Sequence, residues 1–104
     1  MNLLKETIKM IKKSGHTPMD IVFIGSSASA FGCTWDDFKT LANHEYDNGF
    51  GGANVAGDLE IFFSDGNIMW RDDYDGAEWW NYSTTNKIPA NIQPLKSIFG
   101  SKVE

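Results

Sequence analysis

The chain has one cysteine, Cys33, in 104 residues. A single thiol cannot build an internal disulfide framework or a multi-cysteine zinc site, so the fold rests on its apolar core, and the expected setting is the cytoplasm. No apolar run approaches the roughly 18 residues of a membrane span. The N-terminal stretch interleaves lysines with hydrophobics, which is not the apolar core of a secretory signal. Internal repeats and low-complexity tracts are lacking too. Positive charge is scarce where it would matter most for binding phosphates. Residues 14–86 hold twelve acidic side chains against Lys39 and Arg71, a segment charge of −10 (2 − 12). Residues 1–13 carry +3 (four Lys, one Glu) and residues 87–104 carry +2 (three Lys, one Glu). The acidic middle repels nucleic acid and favours encounter with basic protein surfaces; solubility alone is the competing reading.

Catalytic signatures are also missing. "HEYDN" has Asn48 where a zincin places its second histidine, and "GSSAS" lacks the closing glycine of a nucleophile elbow. No spacing links Cys33, His16 or His44 to a nucleophilic constellation. Asp72 and Asp73 are neighbours on a strand and point to opposite faces, so they cannot cooperate as glycosidase carboxylates. "DDYDG" fails as a calcium loop, since Arg71 falls at position 1 and Tyr82 at position 12. Asp73, Asp75 and Glu78 remain as a weak cation site at best. "GFGGANVAG" has Asn54 in place of the third glycine of a nucleotide loop and leads into a strand. It reads as a connection that exposes Phe50 for binding. No cofactor or metal is expected, and no enzyme.

What is present supports an α+β domain. Leu4, Ile8 and Ile11, with Leu3 beside them, predict an amphipathic helix stopped by Gly15, with Lys12 and Lys13 at the negative end of its dipole. "MDIVFIG", residues 19–25, reads as a strand, and "SSASAFGC" as a loop. Thr34 caps a second helix running to about Asn43 and presenting Trp35, Phe38, Leu41 and Ala42. Asp65-Gly66 and Asp75-Gly76 mark two tight turns of an antiparallel meander of three strands, or of four if residues 19–25 join it, packed on one face by the two helices. The tail docks Ile88, Ile92, Leu95, Ile98 and Phe99, and residues 100–104 are expected to be loose. Residues 1–104 form one domain.

If both turns have two residues, paired positions sum to 131 and 151, which sorts the meander onto two faces. Leu59, Ile61, Phe63, Ile68, Trp70 and Trp79 then form the core side, along with Asp72, Tyr74 and Asn81. Asp58, Glu60, Phe62, Met69, Arg71, Asp73, Glu78, Trp80 and Tyr82 form the outer side. There, Glu60 stands opposite Arg71 and Arg71 opposite Trp80, an ion pair and a cation–π contact each worth up to about 1 kcal/mol when exposed.

Residues 35–80, under half the chain, resemble a group of small acidic proteins encoded by phages and prophages. The likeness rests on an aromatic-led helix, then Tyr46-Asp47, Gly49-Phe50-Gly51, Asp58-Leu59 and the hairpin residues Tyr74, Asp75, Gly76, Glu78, Trp79 and Trp80. It carries no catalytic residues. It implies a phage-encoded setting in the host cytoplasm, where small acidic proteins include anti-CRISPR inhibitors that occupy the basic nucleic-acid channels of Cas effectors. The expected function is therefore a non-enzymatic inhibitor that binds a basic nucleic-acid-handling host protein as a DNA mimic. The expected site is Asp58, Glu60, Arg71, Asp73, Glu78, Trp80 and Tyr82, with Phe50 as a loop contact. A domain that self-associates as a homodimer through the exposed aromatics, or a weak divalent-cation binder, is the alternative. Neither direct nucleic-acid binding nor a membrane is expected.

Overall fold

The structure, a computed structural model, describes residues 1–47, 54–82, 88, 89 and 91–104, and of 83 and 84 the backbone. Helix α1 spans Leu3–Lys13. Asn2 caps it by accepting from the Lys5 N–H at 3.0 Å. Its buried stripe is Leu3, Thr7 and Ile11. The expected stripe through Ile8 is thus rotated: Ile8 is exposed and a threonine takes its place inside. Helix α2, Trp35–Ala42, begins as expected with the Thr34 hydroxyl accepting from the Asp37 N–H and buries Phe38 and Ala42.

One six-stranded sheet receives these helices. Its strands are β1 Ile21–Ser26, β2 Phe31–Cys33, β3 Glu60–Phe63, β4 Asn67–Tyr74, β5 Ala77–Thr84 and β6 Gln93–Pro94, in the order β5-β4-β3-β1-β2-β6. Neighbours are antiparallel except β2 and β6, which run parallel. The fold is α+β as expected, but the sheet is wider and mixed. The stretch read as a loop supplies β2, which hairpins onto β1 through pairs such as Ile24 with Cys33. Gly25 allows this close pairing, because a Cβ there would lie 1.9 Å from the Phe31 carbonyl oxygen.

The two Asp-Gly turns behave differently. Asp75 (φ 50°) and Gly76 (φ 86°) both lie in the left-handed region, the geometry of a two-residue turn whose twist matches its strands. Pairs across it sum to 151, as expected: Arg71 with Trp80, Asp73 with Glu78. At the other turn only Gly66 (φ 91°) has positive φ. The Gly66 N–H bonds the Phe63 carbonyl at 3.1 Å, and the Asp65 carboxylate accepts from the Asn67 N–H at 3.0 Å. That loop holds three residues, so pairs such as Ile61 with Met69 sum to 130.

A one-residue slip exchanges the faces of every strand beyond it. Leu59, Ile61 and Phe63 face the main core as expected, but Met69, Arg71, Glu78 and Trp80 join them on that buried side. Ile68 and Trp70, expected there, instead build a second cluster with Phe23 and Phe62 on the other face. Glu60 consequently stands opposite Trp70, not Arg71.

The C-terminal segment closes the core with Leu95, Ile98 and Val103, while Ile88 and Ile92 stay exposed. Backbone bonds join it to the residues before β3, Ala56 N–H to Ile98 at 2.9 Å and Gly100 N–H to Asn54 at 2.9 Å. The end expected to be loose is tied down: the Asp58 carboxylate accepts from the Val103 N–H at 2.7 Å, and Glu104 and Ser97 exchange backbone bonds of 2.8 and 3.0 Å. Among the described residues, no helix is long and apolar enough to cross a membrane.

Candidate functional site

The β4–β5 hairpin carries Arg71, Asp73 and Glu78 of the charged residues singled out in the sequence, and the register divides them between an interior and a tip. On the interior side, Arg71 lies beneath α1. Its Nη1 donates to Glu6 at 2.9 Å, and its Nη2 donates to Glu78 at 3.1 Å and to the Tyr46 hydroxyl at 3.2 Å. Tyr46 in turn donates to Glu6. Burial, and then this bond to the carboxylate, push the Tyr46 pKa up, which keeps the phenol protonated. The guanidinium also lies 5.1 Å from the Trp80 ring centre and 5.8 Å from that of Tyr46. Its Nε has no hydrogen-bond partner among the described residues.

The network extends on both sides. Glu78 accepts from the backbone N–H of Asn54 at 2.6 Å and of Val55 at 2.9 Å, fastening the segment before β3 to the hairpin. The Trp80 indole N–H donates to the Thr7 hydroxyl at 3.0 Å, which itself donates to the Leu3 carbonyl at 2.7 Å. This explains the rotated face of α1: a buried indole requires an acceptor, and Thr7 supplies it. Every oxygen of Glu6 and Glu78 accepts at least one hydrogen bond, so both carboxylates act as fixed counter-ions to Arg71.

Five of the expected site residues are therefore committed inside the molecule or to its backbone. Arg71, Glu78 and Trp80 are buried, and Asp58 clasps the C-terminus. Glu60 accepts from the N–H and hydroxyl of Ser27, both at 2.7 Å, which orders the β1–β2 connection. Exposed are Asp73 and Tyr82. Phe50 and its glycines lie outside the described residues. The cation site suggested by Asp73, Asp75 and Glu78 is undone by the engagement of Glu78, and the described residues contain no cluster of His, Cys, Asp and Glu arranged to hold a metal.

The tip of the hairpin is the part turned outward. Asp72, Asp73, Tyr74 and Asp75 are consecutive and exposed, with Tyr74 78% accessible. Asp72 accepts from the Asn81 side chain at 2.9 Å, and none of the three carboxylates has an ion pair among the described residues. The left-handed Asp75-Gly76 turn fixes their direction.

Elsewhere the titratable groups serve local structure. His16 stacks on Phe63 with ring centres 4.1 Å apart, and its Nε2 meets Asp65 at 2.6 Å. A carboxylate can only accept, so Nε2 carries a proton, and the ring ties the end of α1 to the β3–β4 turn. Cys33 is half-buried, and burial together with nearby Asp37 pushes its thiol up to about 12.

Protein-family models, curated proteins and solved structures offer no match to the chain. Within the pattern noted in the sequence, Tyr46, Asp58, Glu78 and Trp80 have an intramolecular explanation, since each of these side chains holds one part of the fold to another.

Proposed function

We propose that the protein is a non-catalytic binding module whose β4–β5 tip engages a basic surface on a nucleic-acid-handling partner. The observation that carries this reading is the tip itself: three exposed carboxylates without ion pairs among the described residues, around the highly exposed Tyr74, projected from a turn of defined geometry. Carboxylates spaced along a strand present acceptors and negative charge to lysines and arginines that otherwise meet phosphates. Tyr74 adds apolar area and a hydroxyl at low entropic cost, as tyrosines do in recognition surfaces. The buried Arg71 network lies directly behind the tip and holds the strands in register. Inhibition of a Cas effector by a phage-encoded anti-CRISPR is the sharpest form of this reading, supported by the acidic central segment and by the resemblance of residues 35–80.

The test is capture from a bacterial host lysate with the wild-type chain and with Asp73→Lys/Asp75→Lys. Nucleic-acid-binding proteins retained at moderate salt by the wild type and lost with the variant support the proposal. Equal capture by both contradicts it. Self-association through Tyr82, which is 49% exposed on the outermost strand β5, is the second reading. It requires a molar mass by light scattering that rises with concentration.

A further inference from the structure

A cleft of about 380 Å³ lies between α1 and β5, far from the tip's acids in chemistry if not in sequence. Its size falls within the range of about 300–1,000 Å³ typical of small-molecule sites. Lys5, Lys9 and Lys13 line it from the helix, spaced at i, i+4 and i+8, which stacks them along one stripe. All three are exposed, and none forms an ion pair among the described residues. The two acids that also line the cleft, Glu6 and Glu78, both pair with Arg71, so that group keeps a net charge of −1 (1 − 2) against the three lysines. Met10 and Trp79, both half-buried, supply apolar lining. In a chain of net charge −5, this is a basic stripe beside an apolar surface.

We propose that the cleft binds an amphipathic organic anion. Its apolar body lies against Met10 and Trp79, and its carboxylate or phosphate is held by the Lys5–Lys9–Lys13 stripe. A neutral ligand would leave the lysines unused, and a cation would be repelled by all three. The site uses charge of the opposite sign from the tip and shares no residue with it, so either proposal can fail alone.

The full chain is titrated with decanoate, decyl phosphate, decanol and decyltrimethylammonium, read by tryptophan fluorescence and by NMR shifts of backbone amides and indole N–H groups. The proposal expects both anions to saturate one site, about tenfold or more tighter than decanol or the cation, with shifts confined to α1 and β5. Lys9→Glu weakens the anions about tenfold, as does Lys9→Gln to a lesser degree, while Lys12→Glu, outside the cleft lining, leaves affinity within about twofold. Equal binding of decanol or of the cation, shifts centred elsewhere, or indifference to both Lys9 substitutions overturns it. Tighter binding of a short oligothymidylate that displaces decanoate also overturns it, because the stripe would then serve a nucleic acid.

Discussion

Arg71 and Glu78 meet at 3.1 Å inside the β4–β5 hairpin, each with a side chain only 2% exposed. Both residues were expected on an outer surface, with Arg71 paired to Glu60, and together they instead anchor the core side. Glu6 remains as counter-ion to Arg71 when Glu78 is removed, so the cost falls on the other groups that Glu78 serves. It satisfies two backbone N–H groups, and a buried donor left without an acceptor costs about 1–3 kcal/mol. Glu78→Ala is therefore expected to lower stability by about 2–5 kcal/mol, and Glu78→Gln, which keeps an acceptor, by less. Urea unfolding followed by circular dichroism measures both. A loss below about 1 kcal/mol for Glu78→Ala, the scale of an exposed pair, contradicts the buried assignment.

Thr7 contributes through a single hydroxyl. Thr7→Val preserves its shape and removes the acceptor for the Trp80 indole, leaving a buried donor unsatisfied at a cost of about 1–3 kcal/mol. The reverse choice, Ile8→Thr on the exposed side of α1, is expected to change stability by no more than about 0.5 kcal/mol. Comparable losses for the two would place the helix in the rotation first inferred from Leu4, Ile8 and Ile11.

Asp65 sets part of the acid response. The Asn67 N–H and then His16 hold its carboxyl below the ordinary value of 3.8. A carboxylate with a depressed folded-state pKa contributes stability that is present above its unfolded value and is lost as pH falls through the folded one. Melting temperatures recorded from about pH 5 to about pH 2 are expected to fall less steeply for Asp65→Asn than for the wild type. Superimposable slopes would remove Asp65 from the account of acid sensitivity.

Cys33 is expected to be inert while the chain is folded. With the thiol pushed up to about 12, the thiolate that reacts with disulfide reagents is nearly absent at about pH 8. Ellman's reagent should react slowly with native protein and rapidly after denaturation in urea. Fast reaction in the native state counts against the half-buried placement.

The secondary structure was legible in the sequence wherever a side chain declared a local geometry. Thr34 marked a helix start, and Asp75-Gly76 gave the right register because both residues adopt the left-handed conformation that the dipeptide favours. Asp65-Gly66 looked the same and was not. Asp65 is drawn to His16, remote in the chain, and to Asn67, so Ser64 enters the loop and the pairing slips by one residue. That slip carried Arg71, Glu78 and Trp80 from the expected surface to the interior and removed most of the expected binding site. Glu6, Thr7 and Tyr46 were missed because their partners are distant in the chain. A threonine in the middle of an amphipathic helix was the available signal, since a polar residue there is best explained by a buried partner. Likewise β2 was hidden among small residues whose role, close approach of strands, leaves no alternation to read.

The account rests on one hairpin having two uses, an interior that holds the fold and a tip offered to a partner. Hydrogen–deuterium exchange of the chain, alone and in complex with a protein captured from lysate, tests this most directly. The account predicts new protection at residues 72–76, with the amides of β4 and β5 nearer Arg71 already slow in the free protein. Protection that appears elsewhere while residues 72–76 exchange as fast as before would contradict it.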